Sequence, residues 1–357
     1  VIPLPKEMKI NGEIKVPAGQ VGVIVPKGES PALITALSTL KSFSLASGKK
    51  VDFAIYLALT NKSEGRIPSD IQRRLGALPY KDQAYAIFPI EGTIGNGLLL
   101  AANTDLGLLY ATRTLQQLID PPDHVPPEAI LTIPRVRILD WPDMEERGQW
   151  GGNAEGDIKW TSALKLNMVE SGIMLSFDDK GAPQVKVKES REALYQGVKV
   201  VLFIPHIGGL GYIPGFLKKH PQTAGVPDPS KPLLTDYVPP ICFSKPESVQ
   251  LLGEIMEGVA SIPTTTDLNV WLSEEGPFCF CDKCQGKEEN IYVTETRAII
   301  SGFRQAQKLN PNLNLRILLS QGSYKVNHLV LKEIPPDVKC TYYHGGLTYD
   351  SSHRPMI

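Results

Sequence analysis

Two carboxylates stand side by side at the end of an apolar run, Leu268-Asn-Val-Trp-Leu-Ser-Glu274-Glu275. A strand ending in adjacent acids can do proton chemistry. One carboxyl can be held protonated by burial and donate to a leaving oxygen, while its neighbour stays ionised. At the C-terminal end of a barrel strand such groups project into the mouth where substrates bind. The competing reading is a solvated strand-to-loop turn through Glu274-Glu275-Gly276. Successive strand residues point to opposite faces, so bringing both acids into one cleft requires a bulge or turn at Ser273.

Four residues further on, Cys279-Phe-Cys281-Asp-Lys-Cys284 crowds three thiols into six positions. Three such ligands suggest zinc, which takes four soft or imidazole ligands in a tetrahedron. Cys242 is a candidate fourth, although no second Cys-x-x-C appears. One disulfide with a free thiol, or reduced cysteines alone, would use the same residues. A structural role without catalysis, zinc-bound or not, is the expectation. No cofactor is required by anything in the sequence; a structural zinc is the one metal suggested. A catalytic cysteine is not indicated, because no histidine pattern accompanies it. Gly208-Gly209-Leu210-Gly211 follows a strand but lacks the Lys-Ser/Thr and glycine spacing of a phosphate loop.

Rings that could meet a ligand are Trp150, Trp271, His206 and His344. Tryptophan can stack on the face of a ligand, although burial in a core is its commoner fate. His206 and His344 each lie just past an apolar strand and read equally as satisfied structural histidines. Tyr342 and Tyr343 end the last strand-like run, in core or cleft.

The elements that must position these groups alternate. From Val1 to about Pro134 the chain reads as a small α+β domain. It has strands at Val21–Val25 and Val51–Ala58, a helix over Ser30–Leu45, a hairpin of Ala84–Pro89 with Gly97–Ala102, and a helix from Thr104 to Ile119 stopped by Pro121-Pro122. The proline-rich stretch 121–134 is expected as a linker, dividing domains 1–134 and 135–357. Beyond it, strands near 140–150, 167–175, 198–205, 268–273, 314–319 and 338–343 alternate with helices. That order means parallel strands with crossover helices. Six strands are too few for a closed (β/α) TIM-type barrel, which takes eight, so the expectation is either such a barrel, incomplete at its C-terminus, or an open six-stranded parallel sheet.

Composition limits the partners. The 357 residues carry a net charge of −1, with no basic stripe to displace counterions, so nucleic acid is not an expected partner. No apolar run approaches the roughly 20 residues of a membrane span. Five cysteines, an odd and clustered set, do not form a disulfide framework. Val1 in first place suits a mature chain after signal removal, hence secreted or periplasmic, and equally a trimmed chain; a cytoplasmic location stays open. Oligomeric state is not legible.

Four segments, in order, resemble glycoside hydrolase family 20, the β-N-acetylhexosaminidases. Asp105-Leu-Gly-Leu-Leu-Tyr-Ala-Thr-Arg-Thr-Leu-Gln-Gln-Leu118 is similar to the helix closing the family's N-terminal domain. Asp140-Trp-Pro-Asp-Met-Glu-Glu-Arg147-Gly148 looks like its D-x-P-x-F-x-x-R-G segment. Lys165-Leu-Asn167 is similar to its K-x-N, and Val200–Gly215 to its I-P-E-I-D-x-P-G-H.

The resemblance implies a retaining, substrate-assisted glycosidase acting on an oligosaccharide or glycoconjugate. In that mechanism the sugar's acetamido oxygen is the nucleophile. Glu275 would be the general acid/base and Glu274 the acetamido partner, with Arg147 gripping sugar hydroxyls through its planar fork. A surface arginine within Glu145-Glu146-Arg147 is the alternative. The chain departs from the family at the site. Glu274 stands for an aspartate, about 1.5 Å longer, Val270 stands for a histidine, and His206 and Gly208 stand for acids. Those departures leave open another sugar, such as a uronic acid, or a carbohydrate-binding protein without catalysis.

Overall fold

The computed structural model describes residues 1–25, 30–44, 51–62, 67–90, 96–121, 124–149, 156–188, 191–231, 237–274 and 276–343. Glu275, Trp150 and His344 lie outside the described residues, as does the hairpin turn 91–95. The chain forms two compact units, residues 1–169 with 190–199, and residues 170–189 with 200–357.

The first unit is built on a mixed sheet in the order β1-β6-β4-β5-β3-β2. Its strands are β1 (Glu7–Pro17), β2 (Val21–Ile24), β3 (Phe53–Leu59), β4 (Tyr85–Ile90), β5 (Gly97–Ala102) and β6 (Ile130–Asp140). The expected hairpin is present, with Ile90 opposite Gly97 and Tyr85 opposite Ala102. Helix α1 (Pro31–Lys41) starts where Ser30 Oγ accepts from Leu33 N at 3.2 Å, and Leu33, Ala36 and Leu40 turn to the core. On the opposite face Leu75 of α2 (Ser69–Ala77) packs with Ile67, Ala86 and Leu99.

Helix α3 (Asp105–Ile119) is capped by Thr104 and ends at Asp120 in the left-handed region, just before Pro121. Gly107 lets this helix lie against the sheet, because a Cβ there would sit 2.6 Å from the Ala84 carbonyl oxygen.

The linker expected over 121–134 runs differently. Ile130–Pro134 belongs to β6, an antiparallel partner of β1 that places Pro134 opposite Glu13. The alternation of Leu131, Ile133, Val136 and Ile138 buries one face of this strand, and that burial outweighs the prolines. Asp140 therefore closes β6 rather than opening a barrel strand. The first strand of the second six-stranded sheet is only β7 (Gly148–Gln149), parallel to Met168–Val169 of β8 (Met168–Gly172). Helices α4 (Ile158–Ala163) and α5 (Arg191–Tyr195) are also in this unit.

The second unit carries a curled parallel sheet, half of a barrel. After the end of β8 come β11 (Lys199–Ile204), β12 (Asp267–Trp271), β13 (Asn314–Leu319) and β14 (Lys339–Tyr342), adjacent in that order. With β7, these are the six strands expected. One face is wholly apolar. Leu202, Ile204, Leu268, Val270, Leu315 and Ile317 bury against α7 (Pro246–Ala260) and α8 (Glu288–Ala306).

The other face carries Phe203, Asn269, Trp271 and Arg316, with Phe203 and Asn269 opposite each other across the β11–β12 pair and Asn269 and Arg316 across β12–β13. Arg316 and Asp267 make a buried ion pair at 2.5 Å, and Asn269 Nδ2 donates to Glu170 Oε1 at 2.8 Å.

A hairpin of β9 (Met174–Phe177) and β10 (Pro183–Lys186) turns at Asp178–Ala182. The sequence reads through its first half as part of one strand, because Asp178-Asp179-Lys180-Gly181 resembles any polar loop. Leu175, Phe177 and Val185 pack onto the main core. Helices α6 (Phe216–Lys219) and α9 (Asn327–Glu333) complete the described unit. Among the described residues no helix is long and apolar enough to cross a membrane.

Candidate functional site

A pocket opens in the second unit at the C-terminal ends of β11 and β12, lined in part by His206, Gly208, Tyr212, Ser273, Glu274 and Glu295. Its construction begins where β12 stops. Leu272 N still donates to Leu318 O at 3.2 Å, continuing the ladder. The next amide leaves it, for Ser273 N donates to Glu295 Oε2 at 3.0 Å, and Ser273 Oγ donates to Glu295 Oε1 at 2.6 Å. The chain therefore turns at Ser273, the break that two sequential acids would need. Ser273 Oγ also accepts from Gly208 N at 2.9 Å, which ties the loop after β11 to the end of β12.

Gly208 stands where the resemblance expects an acid, and the geometry explains it. A Cβ at this position would collide with Ser273 Oγ. Glycine is the residue that lets the backbone amide reach the serine hydroxyl.

Glu274 is next, its side chain 30 % exposed, so it reaches solvent while keeping a protein partner. That partner is His206, whose Nε2 lies 3.3 Å from Glu274 Oε2. His206 Nδ1 lies 2.7 Å from the Leu272 carbonyl oxygen, which can only accept, so Nδ1 carries a proton. Nε2 is thereby left facing the Glu274 carboxylate. His206 and Glu274 form a close pair at the pocket. Trp271 stacks on Phe203 with ring centroids 4.5 Å apart and planes 6° apart, and meets His206 edge-on at 5.2 Å.

Beneath them is Glu295, buried in the middle of α8 and absent from the residues singled out in the sequence. Burial pushes its carboxyl up to about 7, opposed by the two hydrogen bonds from Ser273. A signal did exist. Glu295 occupies the apolar stripe of α8 between Ile291 and Ile299, and a lone acid on a core-facing stripe is unusual. Gly322 closes the site from behind, since a Cβ there would run into the Glu274 carbonyl oxygen.

Arg147 belongs to the first unit, where protein groups accept from its guanidinium. Nη1 donates to Gln83 Oε1 at 2.9 Å and to Met144 O at 2.7 Å, and Nη2 donates to Lys165 O at 2.8 Å. The neighbouring motif residues join the same framework. Asn167 Oδ1 accepts from Arg147 N at 2.7 Å. Lys165 Nζ is buried 3.2 Å from Asp140 Oδ2, and Tyr85 OH donates to that same oxygen at 2.7 Å. Burial lowers the Lys165 ammonium from its ordinary value. Much of the Asp140, Arg147, Lys165 and Asn167 signature is thus an internal hydrogen-bonded scaffold.

The cysteines do converge. The Sγ atoms of Cys242, Cys279, Cys281 and Cys284 all lie within 4.8 Å of one another, whereas Cys340 is exposed in β14. Tyr342 and Tyr343 are about half exposed.

No protein-family model and no curated protein sequence matches the chain. Solved structures do match. A glycoside hydrolase family 20 exo-β-N-acetylglucosaminidase from Vibrio harveyi, in complex with N-acetylglucosamine, is similar with a TM-score of 0.63 at 13 % identity, covering 96 % of this chain and 57 % of that one. The chitobiase of Flavobacterium johnsoniae gives 0.59 at 14 %, covering 98 % and 60 %. A β-N-acetylhexosaminidase from Bacteroides fragilis gives 0.59 at 14 %, covering 98 % and 75 %. The chain thus spans less than two thirds of the length of the first two. Similarity over nearly the whole of this chain establishes the fold read from its motifs, that of the family 20 hexosaminidases.

Proposed function

We propose that this chain is a glycoside hydrolase that removes a terminal sugar, with N-acetylhexosamine the first candidate, through Glu275 as general acid/base and Glu274 as its partner. The observation that carries this reading is the His206–Glu274 pair, set in a pocket at the C-terminal end of a barrel strand. Substrates of barrel enzymes bind at that end. In a substrate-assisted reaction the acetamido oxygen attacks the anomeric carbon, and a neighbouring carboxylate orients the acetamido group. His206 Nε2, 3.3 Å from the Glu274 carboxylate, would hold it in place for that task. The longer glutamate and its histidine partner offer a different acetamido position from an aspartate, so the sugar specificity is this chain's own. Trp271 and His206 are the aromatic surfaces offered to the sugar; Arg147 acts in this reading through the scaffold it holds.

A second reading, a carbohydrate-binding protein without turnover, is favoured by one feature: His206 occupies the carboxylate that the reaction would use. Hydrolysis of aryl N-acetylglucosaminide, N-acetylgalactosaminide, glucoside, galactoside and glucuronide by wild type, Glu275→Gln and Glu274→Gln decides between them. Turnover of one sugar, reduced about 10²-fold or more in Glu275→Gln, is the expected result. Silence of wild type and variants alike, with a sugar still bound, selects the second reading.

A further inference from the structure

We propose that Cys242, Cys279, Cys281 and Cys284 form a structural tetrathiolate zinc site that fixes one wall of the pocket. The proposal does not depend on the glycosidase reading. A tetrahedron with Zn–S bonds of about 2.3 Å has sulfur–sulfur edges of about 3.8 Å. Cys242 Sγ lies 3.8 Å from Cys281 Sγ and 3.8 Å from Cys284 Sγ. Those separations are well beyond a disulfide bond of about 2.05 Å and match the edges of a metal tetrahedron.

The surroundings are those of a thiolate site. Backbone amides of Val226 and Cys281 point at Cys279 Sγ from 3.4 and 3.5 Å. Such N–H donors stabilise sulfur that carries negative charge, as outer-shell partners of a metal do. Gly225 leaves room for this sulfur, since a Cβ there would sit 2.8 Å from Cys279 Sγ. Cys242, Cys279 and Cys284 are buried and Cys281 is partly so, which closes the site as a structural zinc requires.

Two separate stretches of chain meet here. Cys242 N donates to Thr223 O at 3.0 Å within the loop after β11, and Phe280 N donates to Val226 O at 2.9 Å, which already ties the loop after β12 to it. Ile241 and the run from Gly276 to Cys279 line the pocket. A metal joining Cys242 to Cys279 therefore holds two sides of the pocket wall in register.

The test uses the full chain, purified with reductant, its metal content measured and its zinc then exchanged for Co2+. About one zinc per chain is expected. The cobalt form should show intense thiolate-to-cobalt charge-transfer bands and the visible bands of tetrahedral cobalt, both abolished by added Zn2+. Cys281→Ser, at the most accessible ligand, should weaken or shift these bands, and Cys340→Ser should leave them unchanged. Absence of thiolate–cobalt bands in the reduced wild type overturns the proposal. So does their persistence, unaltered, in Cys242→Ser and Cys284→Ser, because the metal would then lie elsewhere. If those two variants do not fold, the wild-type spectrum and its saturation at about one equivalent still decide the matter.

Discussion

Ser273 gives both its hydrogens to one buried carboxyl: its amide to Glu295 Oε2 at 3.0 Å and its hydroxyl to Glu295 Oε1 at 2.6 Å. This relationship ends β12 and sets the direction in which Glu274 leaves the strand. Replacing Glu295 by leucine keeps an apolar helix face and strands two donors. Each buried group left without a partner costs about 1–3 kcal/mol. Glu295→Leu is therefore expected to lower the unfolding free energy by roughly 2–5 kcal/mol. A urea-denaturation difference below about 0.5 kcal/mol would mean that Ser273 finds other acceptors.

The same group sets a pH dependence. Burial raises the Glu295 carboxyl from 4.5 to about 7. The unfolded chain therefore releases this proton first, and between those values the native state binds more protons than the unfolded one. The contribution of Glu295 to stability must fall as pH rises from about 4.5 to 7 and then level off. The size of the effect is about 3 kcal/mol. Glu295→Gln removes the titration. Its stability relative to wild type should improve by up to that amount between about pH 5 and pH 8. A constant difference across that range would show that Glu295 titrates as an ordinary carboxyl.

Gly208 and Gly322 are expected to tolerate no side chain, for reasons specific to the pocket. An alanine at 208 would run into Ser273 Oγ, and one at 322 into the Glu274 carbonyl oxygen. Each should cost about 1–3 kcal/mol through forced backbone movement. Gly208→Asp, which restores the residue type of the family pattern, should be worse still and gain no activity. Thermal denaturation of the three variants checks this; wild-type midpoints for Gly208→Asp would remove the steric account of this departure.

Asp140 and Lys165 form a pair with side chains 10 % and 5 % exposed, so neither charge has water to fall back on. Removing one partner leaves the other buried and uncompensated, at about 3–5 kcal/mol. Asp140→Ala and Lys165→Ala should each be strongly destabilising, and Asp140→Leu combined with Lys165→Met clearly less than additive. A double-mutant cycle with a coupling term near zero would show that the pair is not a unit.

Much of the architecture is legible in the sequence. Six short β-branched runs alternating with helices specify parallel strands, because alternation of this kind has few other solutions. The segments around Tyr110, Asp140, Arg147 and Lys165 pointed to the right fold, and the structure shows why. Asp140, Arg147, Lys165 and Asn167 build a hydrogen-bonded scaffold that needs those residue types. Their chemistry was the less legible part, because a side chain's type does not reveal whether its donors are already taken, as those of Arg147 are by Gln83, Met144 and Lys165. The linker expected over 121–134 failed for a related reason: prolines are local signals, and the pairing of β6 with β1 is a distant one.

By itself the sequence determined the strand and helix periodicities, the presence of adjacent acids after β12, and three thiols spaced for one centre. These are local properties, fixed by residues a few positions apart. The tertiary structure alone decided that Cys242 joins those thiols from 37 residues away, that His206 faces Glu274, and that Glu295 sits beneath Ser273. Each of these partnerships pairs residues far apart in the chain but adjacent where the ends of neighbouring strands, the loops that follow them and a covering helix meet. Proximity of that kind arises only once the apolar faces of β11, β12 and β13 have been buried against α7 and α8.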